Sequence, residues 1–257
     1  MRLIDTHTHL YDTPFTDDFY AVVERARECG VSEVILPAID STYHKQMVEC
    51  AGALNGFAYP AIGLHPTSVK ESWREELEFV LKSITERKYV AVGEIGIDGY
   101  WSKEYLKEQL SVFKKQIELA VKMDLPVIVH MRESTEEIFK VLDICKHLPL
   151  RGVFHAYSGS IESYERLRSY GDFMFGIGGV VTYKNSKLPN VVKKMPLDSI
   201  VLETDSPWLT PAPYRGKRNE PSYVKIIAEQ VAEIKKISFD QVADVTTRNA
   251  KRMFNLN

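Results

Sequence analysis

Six residues able to bind a metal fall at the ends of short apolar runs, and no other feature of the chain restricts its fold so strongly. The runs extend from LIDTHTH at the start to IVLETD near residue 205. His7, His9, Glu94, His130, His155 and Asp205 stand at the ends, with Ile, Val, Leu and Phe filling the runs behind them. A (β/α)8 barrel gathers the C-terminal ends of all its strands around one mouth, so ligands distant in sequence converge there. Six such ligands suit a hydrolase that works with divalent metals.

Eight runs are expected as strands, at about 2–6, 33–38, 58–64, 89–95, 126–130, 151–155, 172–177 and 199–204. Most are continuously apolar, as in a parallel sheet covered outside by helices. Helical patterns lie between them. DDFYAVVERARECG opens on acidic capping candidates and stops at Gly30. Further helices are expected at about 43–54, 71–87, 161–170 and 187–194. The longest, SKEYLKEQLSVFKKQIELAVKMD, carries Leu106, Leu110, Phe113, Ile117 and Val121 on one face. In STEEIFKVLDICKHL, Ser134 and Glu137 have capping-box spacing. Two amphipathic segments between Ser222 and Met253 complete the outer ring. The expected fold is α/β, a TIM barrel of the metallo-dependent hydrolase type, with residues 1–257 as one domain. An open doubly wound sheet also alternates strands and helices, but THTH stands after the first run where that fold carries GxGxxG. Gly176, Gly178 and Gly179 come far later and suit tight turns or close backbone packing beside the mouth.

The length of 257 residues fits such a barrel. With 33 basic and 35 acidic residues, the formal net charge of -2 argues against a sequence-blind nucleic-acid coat. It leaves room for a local positive pocket around one phosphate. Cys29, Cys50 and Cys145 have no CxxC spacing and are expected as free thiols. No basic-plus-apolar leader precedes MRLIDTHTHL and no apolar stretch reaches the length of a membrane span, so a cytoplasmic location without membrane association is expected.

Residues two apart on a strand share a face. Asp5, His7 and His9 therefore point together if the first strand stays extended, and the same spacing pairs Val92 with Glu94, Ile128 with His130, Val153 with His155, and Glu203 with Asp205. One metal would take His7, His9 and Asp205, Glu94 would bridge to a second, and His130 with His155 would complete that second site. Each residue alone also has an ordinary reading, as a packed histidine or a structural ion-pair carboxylate. His44 and His147 sit in helical segments and are read that way.

Taken together, DTHTHL at 5–10, GLHP at 63–66, GEIGID at 93–98, PVIVHMR at 126–132, HAYSG at 155–159, ETDSPWLTP at 203–211 and RGKRNEPSYV at 215–224 resemble the TatD-family deoxyribonucleases along the whole chain. The resemblance implies metal contacts from His7, His9, Glu94, His130, His155 and Asp205. It also implies Mg2+- or Mn2+-dependent hydrolysis of DNA phosphodiesters, often as a 3′-to-5′ exonuclease on single-stranded ends. Ala156 stands where the family often has Cys, and Gly99 where an aromatic often follows the GEIGLD motif.

On this reading Asp205 accepts a proton from the attacking water, or orients it, and Glu94 holds the two metals. His65 either binds a phosphate oxygen, protonates the leaving group, or shapes the GLHP turn. Arg132, Arg215 and Arg218 are candidate phosphate binders, each with a surface ion pair as its plain alternative. Tyr157, Tyr183 and Trp208 have faces suited to stacking on bases or to packing a loop. The mixed His and carboxylate donors admit Zn2+ as well as Mn2+. Other readings remain open: hydrolysis of D-aminoacyl-tRNA or another ester by the same metal core, or a metal-stabilised interaction module without turnover. No obligate protein partner is implied, and the oligomeric state is left open.

Overall fold

Every strand in the computed structural model, which describes residues 2–256, runs parallel to its neighbours. The strands are β1 (Leu3–Asp5), β2 (Val31–Leu36), β3 (Ala58–Pro60), β4 (Val92–Asp98), β5 (Val127–Arg132), β6 (Arg151–Phe154), β7 (Asp172–Ile177) and β8 (Ile200–Leu202). Their order is β1-β2-β3 in one sheet and β4-β5-β6-β7-β8 in the other. Parallel bridges at Ile62–Val92 and Thr8–Ser206 join the two sheets at both seams and close the ring. The closed ring is the TIM barrel expected from the alternation of runs.

Helices follow the strands: α1 (Phe19–Glu28), α2 (Ser41–Ala53), α3 (Trp73–Ser83), α4 (Leu106–Lys122), α5 (Thr135–Cys145), α6 (Ile161–Arg168) and α7 (Leu188–Lys194). After β8 come α8 (Val224–Lys235) and α9 (Phe239–Phe254). One apolar layer lies between strands and helices; Val34, Val129, Phe154, Phe175 and Leu202 supply it from the barrel side. A second fills the barrel. Ile4, Ile35, Ala91, Ile128, Val153, Met174 and Val201 point inward, and Met253, Phe254 and Leu256 at the end of α9 plug the floor. With the floor sealed by apolar side chains, the opposite end, where the strands terminate, is left for polar groups.

Several local devices differ from expectation. Asp18 occupies the N-cap of α1 without a capping hydrogen bond, because its carboxylate is taken by Arg218 and Arg25. Ser134 likewise makes no cap to α5; its hydroxyl donates to the Ile97 carbonyl at 2.7 Å and ties the helix start to the end of β4. Strand β4 begins and ends three residues later than the apolar run, since the buried segment continues through Gly96–Asp98. The three cysteines are free thiols. Among the described residues no helix is long and apolar enough to cross a membrane.

Candidate metal centre

The six expected ligands meet at the C-terminal mouth of the barrel, and Glu94 is their centre. Its Oε2 lies 3.1 Å from His7 Nε2 and 3.9 Å from His9 Nε2. Its Oε1 lies 2.7 Å from His155 Nε2 and 2.8 Å from His130 Nδ1. One carboxylate therefore faces two sets of imidazoles, one set per oxygen. Asp205 Oδ1 stands on the first side, 3.6 Å from His7 Nε2 and 3.8 Å from His9 Nε2. The His7 and His155 rings stack at 3.8 Å between centroids, which holds the two halves side by side.

The strand spacing accounts for only part of this convergence. Ile128 with His130 and Val153 with His155 share the inward face as expected. Val92, however, packs outward against the helices, so simple alternation would send Glu94 outward too. A register irregularity between Val92 and Ile95 turns Glu94 into the barrel. Asp5 also departs from the expected set. The strand stops there, and its carboxylate accepts from Thr204 N–H at 2.9 Å, Thr204 Oγ1 at 2.6 Å and His7 N–H at 3.3 Å. Asp5 fastens β1 to the segment after β8 instead of facing the metal cluster. Asp205 lies beyond β8 with φ 56°, a left-handed conformation that few residues other than Gly, Asn and Asp adopt.

The hydrogen bonds behind the ligands show which ring nitrogens are free. Tyr11 donates its hydroxyl to the Pro37 carbonyl at 2.5 Å, so at 2.9 Å from His9 Nδ1 it accepts, leaving the His9 Nε2 lone pair aimed at the site. Asp98 accepts from His130 Nε2 at 2.8 Å and leaves Nδ1 toward Glu94. Glu203, fully buried, takes the Ala156 N–H at 2.6 Å on Oε1 and lies 3.5 Å behind His155 Nδ1, close enough for charge but not hydrogen-bonded to it, with Oε2 unpartnered. Sequence reading assigned no role to Asp98 or Glu203, though both sit inside quoted motifs. Gly176 makes room for Glu203, since a Cβ there would stand 2.0 Å from Oε2. Carboxylates that orient ligand imidazoles from behind are a regular component of metal sites.

Lone pairs of His9 and His130 thus face carboxylate oxygens in a buried pocket, an arrangement that a cation relieves. The donors present fit divalent metals. Among the described residues, His7–His9–Glu94 and His65–Glu94–His130 each bring ligand atoms within 4.8 Å of one another and share Glu94; His7–His155–Glu203 form a third such set that does not include it. Protonation follows the same logic. Burial alone would raise Glu94, but the imidazoles crowded around it, His155, His65 and His7 foremost, hold it well below the usual carboxylate range. Burial pushes Asp205 up to about 6 against the nearby imidazoles.

His65 enters the cluster differently from expectation. Its Nδ1 accepts from Thr67 N–H at 3.1 Å, so its proton is on Nε2, 3.1 Å from Glu94 Oε1. That proton is directed at the central carboxylate and orients it. A cavity of about 610 Å3 opens above the cluster, lined by His9, His65, Arg132, Trp101, Asp205 and Trp208 among others. The other substrate candidates lie elsewhere. Tyr157, 2 % exposed, packs on Phe175 and donates to Ser160 O at 2.6 Å, so it offers no face to a base. Arg218 is spent on Asp18, with both contacts at 2.7 Å, and on the Pro14 carbonyl. Arg215 stacks over Tyr183 at 3.9 Å and does not line the cavity.

The family profile of TatD related DNases matches residues 4–255. The chain belongs to the TatD family. It is 40% identical over 256 residues to the metal-dependent hydrolase YabD of Bacillus subtilis, covering 99% of this chain and all of that one. The 3′-5′ ssDNA/RNA exonuclease TatD of Erwinia tasmaniensis is 30% identical over 261 residues, covering 99% and 100%. The crystal structure of the TatD homologue YjjV from Escherichia coli superposes with a TM-score of 0.93 at 33% identity, covering 100% and 99%. Membership of the TatD family and the clustered His and Glu donors make the protein a metal-dependent hydrolase. The two departures from the family pattern have local effects. Ala156 sits at φ 44° and gives its N–H to Glu203. Gly99 passes so close to β5 that a Cβ would be 2.4 Å from the Glu133 carbonyl, and the aromatics follow it, at Tyr100 and Trp101.

Proposed function

We propose that this TatD-family hydrolase is a deoxyribonuclease that removes nucleotides from the 3′ ends of single-stranded DNA. The observation that carries the reading is the division of the cluster by Glu94, one oxygen toward His7 and His9 and the other toward His130 and His155, beneath an open cavity. That arrangement suits two divalent ions, which would supply charge stabilisation for the phosphoryl oxygens and an acidified water. His7, His9 and Asp205 would hold one, His130 and His155 the other, with Glu94 between. The name of the Erwinia tasmaniensis relative supports the polarity and the single-stranded substrate.

The chain's own groups have separable duties. Asp205 borders the cavity, where its carboxylate would orient an attacking water or accept its proton. Asp98 and Tyr11 fix the His130 and His9 rings, and His65 fixes Glu94. Arg132, at the rim, attracts the phosphate. Magnesium or manganese would serve for activity, with zinc as the alternative. The test is a time course of end-labelled single-stranded DNA with metal-stripped protein, adding Mg2+, Mn2+ or Zn2+ separately, beside Glu94→Ala. One-nucleotide shortening from the 3′ end, restored by metal and lost in Glu94→Ala, is expected. Folded, metal-loaded protein that leaves DNA intact but hydrolyses D-aminoacyl-tRNA would replace the reading.

A further inference from the structure

The rim of the cavity exposes two indoles. Trp101 is 69% exposed and Trp208 47%, and both line the cavity above the metal cluster. Trp101 belongs to the loop after β4 and Trp208 to the loop after β8. These strands are four apart in a ring of eight, so their ends lie on opposite sides of the mouth. Large apolar groups left in water beside a polar cleft mark a binding surface.

Both indoles are held in place by their backbones. Asp98 Oδ1 accepts from Tyr100 N–H at 2.9 Å and Trp101 N–H at 3.1 Å, while its other oxygen holds His130. Asn219 donates to the Trp208 carbonyl at 2.5 Å, and the Trp208 ring meets His9 edge-on at 5.0 Å. Arg132 lies 3.8 Å over the Tyr100 ring and 5.6 Å from that of Trp101, and makes no ion pair among the described residues. An unspent guanidinium beside exposed indoles on opposite sides of the mouth, over a centre suited to phosphodiester hydrolysis, is complementary to a nucleotide whose base is unpaired.

We infer that Trp101 and Trp208 grip the unpaired terminal base from two sides while Arg132 takes a neighbouring phosphate, and that this grip makes the enzyme select single strands. The inference rests on the nuclease reading above. A base still paired in a duplex offers no free face to two opposed indoles, so duplex ends are refused before the metals act. Indoles stack on any base, which makes the selection indifferent to sequence.

The test compares a short oligothymidylate with the same strand carrying an abasic 3′-terminal residue, using metal-loaded protein. Tryptophan emission is read by stopped flow before turnover, and shortening is read afterwards. Trp73, the third tryptophan, stands at the start of α3 against Arg74 and, from α4, Lys115, and gives a constant background. Loss of the base should reduce kcat/KM about tenfold or more, mainly through KM, and abolish the quench. Trp101→Ala and Trp208→Ala should each slow the normal strand far more than the abasic strand, so that the two rates converge, and Phe at either position should restore most of the difference. Equal handling of the two strands by the wild type, or variants that slow both alike, would overturn the grip and leave the nuclease standing. If no DNA is shortened, the nuclease reading fails. Base-dependent quenching lost in both variants would then still support the grip, and its absence would remove it.

Discussion

Asp98 serves two structures with one carboxylate: Oδ2 holds the His130 ring and Oδ1 holds the loop that presents Trp101. Burial opposes its ionisation, yet hydrogen bonds from His130 and from the Trp101 and Tyr100 backbone keep it below the usual aspartate range. Replacing it by Asn keeps the shape and one acceptor oxygen but removes the charge. Asp98→Asn should weaken metal uptake by about 10–100-fold, read by calorimetric titration of Mn2+ into stripped protein. Unchanged affinity would mean that the His130 orientation is set by packing alone. This residue also shows what a sequence reader can and cannot see. The clustering of His7, His9, Glu94, His130, His155 and Asp205 was legible because each follows an apolar run and strand ends converge in a barrel. The supporting layer of Asp98, Glu203 and Tyr11 was not, since nothing in spacing distinguishes a carboxylate that touches a metal from one that orients an imidazole. Glu94 reaches the mouth for a reason that spacing did not supply, because alternation from Val92 points the wrong way and the irregular register turns it inward.

Helix α4 illustrates the same divide between pattern and purpose. Its apolar spacing identified the helix and a buried face, and Phe113 and Ile117 lie there. Two glutamines share that face. Gln116, fully buried, accepts from Leu64 N–H at 2.7 Å and donates to the Leu64 carbonyl at 3.1 Å, beneath the GLHP turn. Gln109 accepts from Asp98 N–H at 2.9 Å, beneath the end of β4. The helix therefore supports two loops of the mouth through side chains that a hydropathy pattern counts as interruptions. Gln116→Ala would leave both polar groups of Leu64 buried without partners. A loss of about 2–4 kcal/mol is expected in urea denaturation, along with a lower kcat as His65 loses its station beside Glu94. Stability within error of wild type would mean that water reaches the turn and replaces the amide. The unmade cap at Ser134 belongs to the same theme, because its hydroxyl joins α5 to β4 instead of closing the helix on itself.

The barrel must also close between its first and last strands, and at that seam the backbone pairing is sparse. Thr8 bridges Ser206, Asp5 binds Thr204, and outside them Arg25 binds Glu220 while Arg218 binds Asp18. In the sequence the basic cluster RGKR suited a phosphate site and a surface role equally, because nothing there reveals that Arg218 folds back onto α1. Hydrogen bonding from Arg218, and from Arg25 against a small burial cost, brings Asp18 down to about 2. A folded pKa lower than the unfolded value near 4 stabilises the protein above about pH 4, and that contribution is lost as pH falls toward 2. The pair is partly exposed to solvent, so screening limits its worth to under about 1 kcal/mol. Arg218→Ala should therefore lower stability slightly at neutral pH, with the deficit shrinking as the solution is acidified from about pH 4 to pH 2, while the salt dependence of DNA binding stays as in wild type. If Arg218 instead contacts substrate phosphate, the slope of log affinity against log salt should fall by about 1 in magnitude. The same two measurements on Arg132→Ala should give the opposite result: a reduced salt slope and unchanged acid stability, because that guanidinium faces the cavity and has no carboxylate to lose.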